Sequence, residues 1–219
     1  MRILRRLIRV VYSFWSFTRS AMPVITDISQ LDLTKTYTYA DYLTWRLEGV
    51  VELIKGKVRR MSPAPRVRHQ SISFNLGGVI RTALRGKTCR GFAAPFDVRL
   101  LKTTPNGDAQ MSTVVQPDLC VVCDPAKLDE FGCVGAPDWI IEILSPGNTA
   151  HDSKTKFDLY EENGVLEYWM VDPGQKNVIV YTLQHDRYEL QGEFYQPGPI
   201  PVATLPGVEL EWAEVFEGI

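Results

Sequence analysis

Two carboxylates stand where this chain is otherwise most apolar. Asp118 lies in Val114-Val115-Gln116-Pro117-Asp118-Leu119-Cys120-Val121-Val122, and Glu142 in Trp139-Ile140-Ile141-Glu142-Ile143-Leu144. Both runs are short, rich in β-branched residues and bounded by turn formers, so they read as strands buried on both faces. An ionised carboxylate in such a strand is costly unless something compensates it. Two of them on adjacent strands repel each other, and a divalent cation between them relieves both costs. Mg²⁺ accepts two carboxylates and a carbonyl while keeping several waters, and Mn²⁺ takes the same donors. Asp118, Glu142 and the Ile143 carbonyl are the expected ligands. Such a site activates water and neutralises charge in phosphodiester hydrolysis. A lysine that stabilises developing charge and orients the water completes it. Lys154 and Lys156 both lie on the next expected helix.

Each candidate also has a plainer explanation. Asp118 could cap a turn after Pro117, and Lys156 could pair with Asp152 one helical turn away. No cap or turn accounts for Glu142. Glu52, between apolar neighbours, could reach a metal or make an edge-strand salt bridge. His69 shares a helical face with Ile72 and Leu76, which suits a core histidine as well as a phosphate contact. Glu161 and Glu162 read as surface charge, and Tyr168-Trp169 as core.

The net charge of −2 hides a strong segregation. Residues 55–102 hold twelve Lys or Arg against one acid, Asp97, whereas residues 103–219 hold five basic and twenty acidic residues. A basic segment of this kind suits nucleic acid, with Lys57, Arg59, Arg66, Arg68 and His69 as candidate contacts. Internal neutralisation by the acidic part is the competing account. The four cysteines, Cys89, Cys120, Cys123 and Cys133, are too sparse for a disulfide scaffold and lack a fourth zinc ligand at metal-like spacing. They read as reduced thiols in a cytoplasmic protein.

The elements that must position these residues follow in regular order. Thr38 caps a short helix reaching Leu47, and Val50–Ile54 and Lys57–Met61 form a hairpin about Lys55-Gly56. Ser62-Pro63-Ala64-Pro65 is a stiff break. Residues 66–85 repeat apolar side chains at helical spacing. Strands near 93–101, 114–123 and 138–144 precede a helix near 151–163. Strands at Val165–Val171 and Val178–Leu183 follow, and a proline-rich tail ends the chain. This order predicts an α/β fold, a mixed sheet with helices on its faces, in which the strand after the crossover helix can run parallel to a neighbour. Residues 1–21 carry five arginines and no acid. They fit an interfacial amphipathic helix making a membrane or partner contact through residues 2–17, a targeting segment, or a dispensable or disordered extension. No apolar run is long enough to span a membrane.

Gln116-Pro117-Asp118, Glu142-Ile143-Leu144-Ser145-Pro146, Asp152-x3-Lys156-x3-Tyr160 and Gly164-Val165-x-Glu167-Tyr168-Trp169-x-Val171-Asp172-Pro173 resemble the Uma-two family. That family comprises restriction endonucleases of the PD-(D/E)xK nuclease superfamily. Val51-Glu52-Leu53-Ile54-Lys55-Gly56-Lys57-Val58, Met61-Ser62-Pro63-Ala64-Pro65 and His69 resemble its amino-terminal signature. The likeness runs from about residue 37 to 212, so residues 1–36 form an extension and 37–219 the domain. It implies a restriction-endonuclease-like mixed sheet with an extra N-terminal hairpin. By it Asp118 and Glu142 are the metal carboxylates and Glu52 is a retained glutamate. The superfamily lysine, two residues after Glu142, is Leu144 here, and Lys156 on the helix takes its place. The implied activity is Mg²⁺-dependent cleavage of nucleic acid, DNA foremost, by a homodimer. A catalytically silent nucleic-acid-binding or protein-interaction module with the same fold is the alternative.

Overall fold

The computed structural model describes residues 24–47, 51–61, 66–103, 109–145 and 150–219. The amphipathic reading of residues 1–21 and the break at 62–65 lie outside them. A short helix α1 (Tyr39–Tyr42) starts at Thr38, whose hydroxyl accepts from the Asp41 N–H while Asp41 accepts from the Thr38 N–H, a reciprocal cap. It stops well before Leu47. Strands β1 (Val51–Ile54) and β2 (Lys57–Arg60) pair about Lys55-Gly56, both at positive φ, as a two-residue hairpin requires. A Cβ on Gly56 would lie 3.0 Å from the Thr36 side chain, so glycine is needed there twice over.

Helix α2 (Val67–Ala83) buries His69, Ile72, Leu76 and Ile80 along one face. Then come β3 (Arg90–Ala93), β4 (Val98–Thr103), β5 (Ala109–Val115), β6 (Leu119–Val122), β7 (Leu128–Asp129), β8 (Gly132–Val134) and β9 (Trp139–Ile143). After them follow α3 (Ala150–Glu162), β10 (Glu167–Asp172), β11 (Asn177–Gln184), β12 (Arg187–Phe194), β13 (Pro199–Pro201), β14 (Glu209–Glu211) and α4 (Trp212–Val215).

The expected mixed α/β architecture is present, with its strands divided between two six-stranded sheets. One runs β2-β1-β5-β4-β8-β7, the other β12-β11-β10-β9-β6-β3. In the second sheet β10 lies parallel to β9 across the α3 crossover, while β6 is antiparallel to β9. Two runs that read as single strands are broken where the chain passes between sheets. Residues 93–101 divide into β3 and β4, and residues 114–123 into β5 and β6. Pro95 and Pro117 stand in the breaks, because a proline has no N–H to continue a ladder. Asp118 is therefore not inside a strand but at the joint between sheets.

The cysteines depart from expectation at one pair. Cys89 and Cys123 are joined by a disulfide. They extend the β3–β6 register, in which Arg90 faces Val122, by one step on each strand, a proximity that 34 residues of separation conceal. The thiol argument for a cytoplasmic setting is thereby lost. Cys120 and Cys133 are free and buried among apolar side chains. Among the described residues no helix is long and apolar enough to cross a membrane. The packed body also begins before residue 37, since Ile25, Ile28 and Leu31 join a cluster with Tyr39, Trp45 and Leu53.

Glu167 is a third carboxylate in an apolar strand, fully buried. It accepts from Trp169 Nε1 and the Ala203 N–H on one oxygen, and from the Thr204 N–H and hydroxyl on the other. The three bonds from Ala203 and Thr204 anchor the C-terminal segment to β10, and the fourth lies within the strand. Glu167→Ala strands all four donors, so urea unfolding should show a loss of about 2–4 kcal/mol.

Candidate active site

The sheet joint and the α3 crossover bring the site together. In the β6–β9 register Leu119 faces Ile141, which places Asp118 across from Glu142 and Pro117 across from Ile143. Cross-strand neighbours on one face lie close enough for their carboxylates to feel each other. Asp118 Oδ2 accepts the Ile143 N–H at 2.7 Å. Its Oδ1 faces His69 Nε2 at 3.2 Å, so both oxygens are held. Because Pro117 has no N–H, the ladder cannot supply a donor to the Ile143 carbonyl on that side. The His69 ring lies against the same stretch of backbone.

Lys156 enters from α3 with its side chain only 17% exposed. Its ammonium lies 2.5 Å from Glu52 Oε1 and 3.1 Å from Glu142 Oε1, bridging the two sheets. Tyr160, one helical turn on, donates its hydroxyl to the same Glu142 oxygen at 2.5 Å. Glu52 is further fixed by the Gln116 N–H at 3.0 Å. Lys154 points elsewhere and pairs with Asp158 on the exposed face of α3. Geometry therefore separates the two lysines that the sequence left open.

Titration follows from this packing. Burial pushes the Glu142 carboxyl up to about 7; Lys156 and the Tyr160 hydroxyl oppose the rise, and the Asp118 and Glu52 charges add to it. Burial alone would lower the Lys156 ammonium, but Glu142 and Glu52 outweigh it and hold the pKa above its ordinary value. For His69 burial also works downward, and Asp118, Glu142 and the Ile143 backbone more than reverse it.

These groups open onto a cleft of about 260 Å³ whose wall includes Glu52, His69, Asp118, Glu142, Ile143 and Lys156. Among the described residues, no three His, Cys, Asp or Glu side chains converge closely enough to hold a metal alone. Two carboxylates, a carbonyl without a ladder donor and bound water do suit a hard dication. Asp118, Glu142 and Ile143 offer that donor set.

The basic candidates scatter more widely. Arg59 lines the cleft, 3.7 Å from Asp152, and Arg60, which the sequence did not single out, lines it too. Arg66 and Arg68 are exposed around an adjoining hollow of about 600 Å³ that shares His69 and Ser145 with the cleft. Lys57 does not line either space, and its ammonium donates to the Thr34 and Lys35 carbonyls. Arg99 is buried against Asp129, and Lys55 pairs with Glu162, so part of the basic segment is neutralised internally. Glu161 is no plain surface charge, because it accepts from the Tyr188 N–H and from Arg187. Tyr160 was visible only as part of a motif. Its spacing of four from Lys156 was the available signal.

Glu142 binds its proton more tightly in the folded chain than the ordinary carboxyl value of 4.5. The stability this contributes is full below about 4.5 and is lost as pH rises through about 7. In the presence of a chelator, the parent should lose stability relative to Glu142→Gln across that window. Urea melts at a series of pH values should show a drop on the order of 1–3 kcal/mol.

Comparison with known proteins agrees with this architecture. An uncharacterized protein from Synechocystis sp. is 26% identical over 149 residues, covering 67% of this chain and 74% of its own length. The crystal structure of a putative nuclease belonging to DUF820 from Anabaena variabilis superposes with a TM-score of 0.60 at 24% identity, over 82% of this chain and 97% of that one. At that identity the likeness is one of fold. A family model described as "Putative restriction endonuclease" matches residues 39–213, most of the chain, and on that match the protein belongs to the Uma-two family.

Proposed function

We propose that the protein is a Mg²⁺- or Mn²⁺-dependent nuclease that hydrolyses phosphodiester bonds of nucleic acid, with DNA the expected substrate. The single observation that carries this reading is the buried Lys156 ammonium held between Glu142 and Glu52 in a cleft beside Asp118. A purely structural lysine has little reason to line a cleft together with Glu52, Asp118 and Glu142. Asp118, Glu142 and the Ile143 carbonyl would hold the metal ion, which when bound supplies an activated water and charge neutralisation.

The chain's own groups do the rest. Asp118 is oriented in advance by His69 and the Ile143 N–H. Lys156 keeps its proton at neutral pH, so it serves as a fixed positive charge toward the phosphate rather than as a base. Glu52 keeps that ammonium anchored while Glu142 turns to other partners. Tyr160 limits the positions Glu142 can take. Arg59 and Arg60 at the cleft, with Arg66 and Arg68 beside it, would draw in and align the phosphate backbone.

A silent binding module is the second reading, favoured by the fact that Lys156 already compensates Glu142 and Glu52 without a metal. Calorimetric titration with Mg²⁺ and Mn²⁺ separates the two, since a silent module gives no binding heat. Metal-dependent cleavage of plasmid and single-stranded DNA is the direct test. Asp118→Ala should abolish turnover, and Lys156→Ala should lower it by about two to four orders of magnitude. Lys154→Ala, on the exposed face, should cut at the parental rate. Parental activity in the Asp118 or Lys156 variant would sink the assignment.

Neutralising Arg59, Arg60, Arg66 and Arg68 together should weaken binding to all DNA sequences alike. The slope of log affinity against log salt should shrink by about 0.9 for each duplex phosphate that the variant no longer neutralises. An unchanged slope would place the nucleic-acid surface elsewhere.

A further inference from the structure

Helix α2 turns Ile72, Leu76 and Ile80 inward, and its outward face carries two exposed apolar side chains among Gln70, Arg81 and Thr82. Phe74 is 84% exposed and Val67 81%. One turn beyond Phe74, a Cβ built on Gly78 would meet nothing within 4 Å. Phe74 and Gly78 thus form a knob and a hole four residues apart on one helix face. Beside them a groove runs between α2 and the C-terminal segment, with Val79, Val208 and Leu210 in its wall and Glu214 and Glu217 also lining it. Arg81 is exposed farther along the same helix.

We infer that this face is the two-fold interface of a homodimer, with the α2 helices of two copies packed antiparallel. A knob and a hole on one helix are satisfied together by a second copy of that helix. A two-fold axis beside residue 76 sets each Phe74 over the other copy's Gly78, and the missing side chain there lets the backbones approach. In the same register Arg81 comes opposite the other copy's Ser71. The Asn75 amide donates to the Val215 and Glu217 carbonyls, which fixes the acidic end of the chain next to the axis. There Glu214 and Glu217 lie within reach of the second copy's Arg81. The acidic lining is the wrong charge for nucleic acid, so the basic cleft is left free for it.

His69 sits seven residues from the axis, about 10 Å along its helix at 1.5 Å per residue. The two clefts therefore open toward opposite ends of the helix pair, and one dimer carries two separate sites. This assignment gives the dimer expected for a two-strand cutter a specific surface. Its test needs no cleavage, so it stands or falls independently of the nuclease reading.

Sedimentation equilibrium of the full chain at micromolar concentration should show a dimer. Phe74→Asp, at an exposed position, should leave a folded chain with the parent's far-ultraviolet circular dichroism and raise the dimer Kd by at least about 100-fold, as loss of a paired aromatic anchor does. Gly78→Leu should fill the hole and block pairing just as strongly. The monomer it leaves should melt no lower than the Phe74→Asp monomer, because a helix-interior glycine is replaced by a better helix former. A monomeric parent, or a dimer that survives either substitution, overturns the assignment.

Discussion

One buried ammonium joins the parts of this molecule. Lys156 comes from the crossover helix, Glu142 from the second sheet and Glu52 from the first, and a single bridged cation ties all three. Removing either partner leaves charge in a poorly solvated place, so the elements that carry them are held in fixed relation. The neighbourhood remains short of positive charge even so. Three carboxylates, Asp118, Glu142 and Glu52, face Lys156 and His69, and Glu142, raised chiefly by burial, is raised further by the other two. A dication is the natural remedy for such an imbalance.

The backbone reaches this arrangement through two proline-marked breaks. At residues 94–97 and 116–118 the chain leaves one sheet for the other, and the functional aspartate sits in the second break. At this break the Asp118 backbone carbonyl accepts the Ala94 N–H, while its side chain accepts the Ile143 N–H. Interrupted pairing then has a chemical consequence. Asp118 and Ile143 both line the cleft, and the proline opposite Ile143 offers its carbonyl no ladder N–H.

The same strands show why an acid in an apolar run is an incomplete signal. Glu142 and Glu167 have similar sequence surroundings, and both are enclosed by β-branched and aromatic neighbours. Four donors from its own strand and the C-terminal segment satisfy Glu167 completely, which makes it structural. Glu142 shares one oxygen between Lys156 and a tyrosine hydroxyl and lines the cleft. The difference lies in what folds over each residue. Local composition does not record it.

From its sequence alone the chain determined its α/β class, the hairpin at Lys55-Gly56, the helices expected over 66–85 and near 151–163, and the nearness of Asp118 to Glu142. Those features rest on periodicity, turn chemistry and the cost of charge in apolar strands, all of which act within a few residues. Only the tertiary structure decided between Lys154 and Lys156, recruited Tyr160, divided the strands into two sheets and joined Cys89 to Cys123. Each of these depends on contacts between segments distant along the chain. The charge pattern needed both levels. Its basic excess is written in residues 55–102, but which of those charges face the cleft was settled by folding. Arg99 and Lys55 found acids within the protein, Lys57 found carbonyls, and Arg59, Arg60, Arg66 and Arg68 were left at the cleft and its neighbouring hollow. A side chain's type fixes the interactions it can make, and the packing of remote segments fixes which partner it meets.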